Sequence, residues 1–169
     1  MKVCRMATDP FPRYEAEPAG SMIATFNAAD LPTVGQQDAF VYWTQLPKTA
    51  GVPSIEHIDP LALPRSALTM MAVLEVVEQD FLVRLAGTAL TDMLGKEFTG
   101  TKISDLPDAD DGTERLFWAV RHRRPYYSRS TLTWAPKSFR RYGVLTLPFG
   151  DEGAVSRLLL VFDFEKTLS

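Results

Sequence analysis

Phe81-Leu-Val-Arg-Leu-Ala-Gly-Thr-Ala-Leu-Thr-Asp-Met-Leu-Gly-Lys-Glu-Phe-Thr-Gly100 is the stretch whose reading decides the fold. Phe81, Val83 and Leu85 alternate with Leu82 and Arg84, the two-residue period of a half-buried strand. Gly87-Thr88 breaks the strand and offers Thr88 as a helix N-cap, ahead of Ala89, Leu90, Met93 and Leu94 at helical spacing. Gly95 then stands where a left-handed residue ends a helix, and Gly100 punctuates the next turn. The three glycines, Gly87-x7-Gly95-x4-Gly100, have neither phosphate-loop spacing nor its lysine. A strand feeding so short a helix suits an antiparallel sheet capped by small helical turns around a pocket.

Working outward, Met71–Glu78 reads as an apolar strand joined to Phe81 by a tight Gln79-Asp80 turn. After Gly100, Thr101–Pro107 reads as a helical turn. The acidic loop holding Asp108, Asp110, Asp111 and Gly112 lacks the ligand series of a calcium loop. A helix follows over Thr113 to about Arg123, with Thr113, Leu116, Phe117 and Val120 on one face and Trp118 and His122 nearly opposite. Pro125 stops it. Three strands follow: Tyr126–Trp134, Arg140–Phe149 with Leu145, Leu147 and Phe149 on one face, and Ser156–Phe164 with Leu158, Leu160, Phe162 and Phe164 on one face. Alternation of this quality indicates a sheet with a buried face.

Upstream, residues 1–32 are expected to form a flexible arm, with only Met22–Phe26 docking. Residues 33–169 make up the domain, beginning with a helix over 34–46. Thr33-Val-Gly-Gln36 fits a capping box, a hydroxyl at the N-cap and Gln three residues on. Ala39, Phe40, Trp43 and Leu46 form an apolar stripe that packs on its own sheet or pairs two copies in a homodimer.

The chain has 169 residues, 46% hydrophobic and 23% charged, enough for one domain with a proper core. Its formal net charge of −3 excludes a generally basic nucleic-acid protein. The one cysteine, Cys4, has no partner for an internal disulfide. No apolar run reaches the length of a membrane span, and the N-terminus lacks a signal-peptide core. A cytoplasmic protein is expected.

Two strands, short helices, one longer helix and three strands form an order that resembles a PAS domain, most closely the stand-alone bacterial PAS_5 type. The residues carrying the likeness are Tyr42-Trp43, Asp59-Pro60, Arg84-Leu-Ala-Gly87-Thr88, Leu94-Gly95, Thr99-Gly100 and Asp105-Leu106, within a span from Asp38 to Phe164. At Leu46-Pro-Lys-Thr-Ala-Gly51 the chain departs from the basic Leu-Arg-Gly-Gly segment common in such proteins. The resemblance implies an α+β fold: a five-stranded antiparallel sheet, short helices over one face and an extra N-terminal helix. It further implies a non-catalytic sensory or regulatory role in signal transduction, binding a small apolar or amphipathic ligand, a partner signalling protein, or both.

Met93, Phe98, Phe117, Val120, Leu132, Trp134, Leu145, Leu147 and Phe162 are the expected pocket walls, since ligand sites are mostly apolar with few polar anchors. The same residues could equally fill a core. No catalytic residue is expected, because His57 and His122 lack a nucleophile elbow to serve, and no metal ligands recur at fixed spacing. Cofactors are not expected. The resemblance raises haem on His122, but Arg121, Arg123 and Arg124 crowd that position; flavin photochemistry would need a cysteine in the helical region. The segment 121–141 holds six Arg, one Lys and no acid, interleaved with Tyr126, Tyr127, Trp134 and Phe139. It offers a second reading, binding of a nucleotide or single-stranded nucleic acid, which the alternation of these residues between two faces disfavours.

Overall fold

The computed structural model describes residues 22–106, 110–132 and 140–165. Six strands form one antiparallel sheet in the order β1-β4-β5-β6-β2-β3. They are β1 (Met22–Ile23), β2 (Met71–Val77), β3 (Asp80–Ala86), β4 (Tyr126–Leu132), β5 (Arg140–Asp151) and β6 (Ala154–Phe164). Among these residues four α-helices accompany them: α1 (Val34–Gln45), α2 (Arg65–Leu68), α3 (Thr88–Leu94) and α4 (Asp110–His122). The expected five strands are thus one short. Met22 and Ile23 pair with Ser128 and Tyr127, adding a strand beyond β4, and Met22 buries its side chain in the core.

The helices do not share one face, as expected, but divide between two. On one, Leu116, Phe117, Trp118 and Ala119 of α4 and Leu90 of α3 cluster with Ala72, Leu74, Phe81, Val83, Tyr126, Val144, Leu158 and Leu160. On the other, Ala39 and Trp43 of α1 and Ala67 of α2 cluster with Met71, Val73, Tyr127, Leu145, Leu147, Phe149, Leu159 and Val161. Both faces of the central strands are therefore dry, which is why β6 runs Leu158-Leu-Leu-Val161 without polar alternation.

The opening stretch reads correctly in outline and wrongly at two residues. Phe81 and Val83 are buried, but Leu85 is exposed. Val73 pairs with Leu85 while Leu74 pairs with Val83, so Arg84 is the additional residue of a bulge. One extra residue reverses the side-chain parity beyond it. The cap of α3 is Gly87 rather than Thr88. A Cβ on Gly87 would stand 2.5 Å from the Leu68 carbonyl oxygen, so only glycine lets the chain turn there. Gly95 ends the helix in the left-handed region, as its position suggests. The Thr99-Gly100 pair has a further use. Gly100 N–H donates to Val83 O at 2.7 Å, and Val83 N–H donates to Thr101 O at 2.9 Å. The connection thereby covers the outer edge of β3, which would otherwise present unpaired backbone groups.

Helix α1 starts with half of its capping box. Thr33 Oγ1 accepts from Gln36 N–H at 3.2 Å, but the Gln36 side chain points into the protein instead of folding back. Trp43 lies against the sheet and donates its indole N–H to Pro148 O at 2.8 Å. Phe40 rests on Phe26, ring centroids 4.8 Å apart. Ala39 and Trp43 are buried within the chain, and Phe40 and Leu46 pack against the same cluster. The stripe Ala39/Phe40/Trp43/Leu46 therefore packs on its own sheet, with Phe40 and Leu46 left partly exposed. At Gly35 a Cβ would sit 2.5 Å from Ser66 O, so the backbones of α1 and α2 meet closely. Gly35→Ala is expected to force them apart and lower stability by about 1–3 kcal/mol, read as a lower urea midpoint with unchanged m-value.

Candidate functional site

The α4 side of the sheet is not uniformly apolar. Antiparallel register places Tyr126 opposite Thr146, Ser128 opposite Val144 and Ser130 opposite Tyr142. Alternation turns these side chains to the face that carries α4, giving a short polar file across β4 and β5. Arg115 reaches this file from the second turn of α4. It is only 7% exposed, and its Nη2 donates to Ser130 Oγ at 2.8 Å. A guanidinium taken out of water demands acceptors, and burying one without good partners costs several kcal/mol.

Around this polar file lie aromatic rings. Phe81 and Phe117 sit 4.6 Å apart, centroid to centroid. Tyr142, Phe162 and Phe164 form a second group, with centroids 6.0–6.3 Å apart. Ser130, Tyr142, Phe162 and Phe164 are each only partly buried, so the face keeps contact with solvent at this end. Burial raises the Tyr126 phenol far above its usual range, against the opposing pull of Thr146 and Arg115. Tyr142 is raised for the same first cause, against Ser130 and Arg115. Both phenols are neutral hydrogen-bonding groups at any physiological pH.

The opposite face holds a second polar group that the chain's alternation alone does not reveal. Asp163, 8% exposed, accepts from Gln36 Nε2 and from the Tyr127 hydroxyl, each at 2.8 Å. Gln36 Nε2 also donates to Val161 O at 3.0 Å. Arg129 donates to the Tyr127 hydroxyl at 2.9 Å, lies 3.6 Å from Asp163 Oδ1, and pairs with Glu165 at 2.9 Å. Burial and the adjoining carboxylate push the Tyr127 phenol well above its usual range, with Arg129 acting the other way. Gly143 makes room for this cluster: a Cβ there would stand 2.5 Å from Asp163 Oδ2 and closer still to the Tyr127 hydroxyl. The signal in the sequence is Asp163 itself, a lone acid inside an apolar strand.

Of the expected pocket residues, Phe98, Phe117, Val120 and Phe162 belong to the α4-side cluster. Met93 is half-buried on α3. Leu145 and Leu147 stand on the other face, beneath α1, because β5 alternates and its α4-facing positions are Tyr142, Val144 and Thr146. They cannot line the same site as Phe117. Trp134 lies outside the described residues, as does the side chain of Leu132. Arg115, Ser130 and Tyr142, none of them on the expected list, are the polar groups of the site.

His122 stacks on Trp118, centroids 4.4 Å apart, and its Nδ1 is 3.0 Å from Trp118 O. This geometry packs the imidazole against the preceding turn of its own helix. Among the described residues no group of three His, Cys, Asp or Glu side chains converges as a metal site. No helix among them is long and apolar enough to cross a membrane. The arginines of segment 121–141 are divided. Arg124 donates to Ala24 O at 3.1 Å beside β1, while Arg129 and Arg141 both meet Glu165 on the α1 side. Of the described arginines, Arg124 thus has different partners from Arg129 and Arg141.

A family model described as a PAS domain, PAS_5, matches residues 32–124, from the start of α1 to the end of α4. Among solved structures the chain is similar to a fungal LOV domain photoreceptor, at 12% identity over 60% of this chain and 78% of that one, with a TM-score of 0.46. It is also similar to the PAS domain of BvgS from Bordetella pertussis, at 18% identity over 57% and 76%, with a TM-score of 0.45. An RNA-binding light-oxygen-voltage receptor shares 16% identity over 70% of this chain and 36% of that one, with a TM-score of 0.48. No curated protein matches the chain.

Proposed function

The chain belongs to the PAS_5 family of PAS domains, and we propose that it is a non-catalytic sensory module of bacterial signal transduction, working in the cytoplasm. It holds a small amphipathic ligand on the α4 side of the sheet and passes the bound state to a partner protein. The observation that carries this reading is the polar file of Arg115, Ser130 and Tyr142 set into an otherwise apolar, partly solvent-open face. A face that only filled a core would be expected to carry aliphatic side chains there, because buried polar groups bring no net stability over apolar ones of equal shape. A few fixed polar groups among apolar walls are the usual form of a small-molecule site.

Catalysis is not part of this reading. The test is native mass spectrometry of the freshly purified protein, followed by denaturing extraction. A retained small molecule, released on unfolding, is the expected result. Protein that carries nothing, and whose Tm no member of a broad metabolite library raises, would leave an adaptor without a ligand.

A further inference from the structure

We infer that the ligand is a small organic anion, a carboxylate carried on an aromatic or aliphatic body, with its charge held at Arg115. This deepens the sensory reading above and rests on it. Arg115 presents a planar fork of donors, of which Ser130 Oγ takes one at 2.8 Å. A guanidinium fork matches the two oxygens of a carboxylate, and such a pair strengthens where water is excluded. The neighbouring polar groups complement an anion as well. Ser130 and Tyr142 stand opposite each other on β4 and β5, and both hydroxyls remain protonated donors. The groups placed at the file are thus a guanidinium and neutral hydroxyls.

The body of the ligand has a defined place too. Tyr142, Phe162 and Phe164 form a continuous run of rings on the same face, tilted by only 13–34° to one another. They are the partly exposed end of that face. An aryl or alkyl group lying along these rings would cover them while its carboxylate reached inward to Arg115. A neutral molecule of the same shape gains the ring contacts but leaves the guanidinium unmatched.

The probes are 4-phenylbutyrate and its uncharged analogue 4-phenylbutanamide, titrated into labelled protein and followed by NMR. Readouts are the side-chain Nε–H of Arg115 and the amides of Ser130, Tyr142 and Phe162. The acid is expected to bind at least tenfold more tightly than the amide and to move all four signals. Arg115→Met keeps the apolar stem and is expected to remove at least tenfold of the acid's affinity while leaving the amide's unchanged. Should that variant unfold, Tyr142→Phe provides the second measure, with an expected three- to tenfold loss for the acid alone. Equal binding of acid and amide at these residues would overturn the anionic assignment and leave the ligand-binding reading standing. No shift with either probe would overturn the anionic assignment, and the native mass spectrum then decides the sensory reading separately.

Discussion

Asp163→Ala is expected to cost this domain about 3–5 kcal/mol, the range for removing one partner of a buried charged group. The carboxylate is the common acceptor for Gln36, Tyr127 and Arg129. Its loss strands the buried Gln36 amide and Tyr127 phenol with fewer acceptors than donors, and takes one partner from the partly exposed Arg129 guanidinium. Glu165 still holds the far side of Arg129 at 2.9 Å, so that ion is the least affected of the three. For a chain of this length 1 kcal/mol moves Tm by about 2–4 °C, so the midpoint should fall by about 10 °C. Calorimetry on the variant and on Asp163→Asn separates the causes. The amide keeps the shape and one acceptor oxygen, and its loss should be less than half as large. Equal, small losses for both variants would show that the network is not a stabilising unit.

The second large effect is alkaline. Tyr126, Tyr127 and Tyr142 all have phenols raised above the ordinary value by burial. In the unfolded chain these groups ionise near pH 10; in the fold they keep their protons. Above that pH the unfolded state binds fewer protons than the native state, so stability falls as pH rises. The contribution is complete below pH 10 and is lost as pH climbs toward the folded values. Tyr126 alone gives a slope of about 1.4 kcal/mol per pH unit, and the other two steepen it. Urea midpoints should therefore be flat for this reason between pH 7 and 9 and drop sharply by pH 11. Phenolate absorbance should appear together with loss of the fold rather than before it. Tyrosines that titrate freely near pH 10 in a protein still folded by circular dichroism would contradict this.

Much of the architecture was legible in the chain because strands with a buried face alternate. The runs Arg140–Phe149 and Ser156–Phe164 showed which residues share a side. Alternation does not say what covers each side, and here both are covered. Leu145 and Leu147 were grouped correctly with each other and assigned to the wrong layer, since nothing local to β5 reports that α1 lies over it. Leu85 was lost to a bulge at Arg84, because a charged residue at that place fits a regular alternation equally well. The two-residue strand β1 owes its existence to the edge of β4, a partner about a hundred residues away. Gln36 looked like a cap residue because capping is local; its actual partners, Val161 and Asp163, are remote. Arg115 carried no periodic signal, being a charged residue on a helix whose neighbours Leu116, Phe117, Trp118 and Ala119 are all buried. Only the packing of that helix on β4 turns its charge inward.

Register has one further consequence. Ser130, Tyr142 and Phe164 lie side by side on β4, β5 and β6, and the next row along is Arg129, Gly143 and Asp163. The first row faces α4 and the second faces α1, so the two polar groups are mounted back to back on a single thickness of backbone. Energetic effects of substitutions on the two faces should therefore fail to add, since residues sharing a backbone segment couple where distant ones do not. A sheet is usually thought of as a wall between its two faces; at this row it is closer to a membrane, thin enough for a push on one side to be felt on the other.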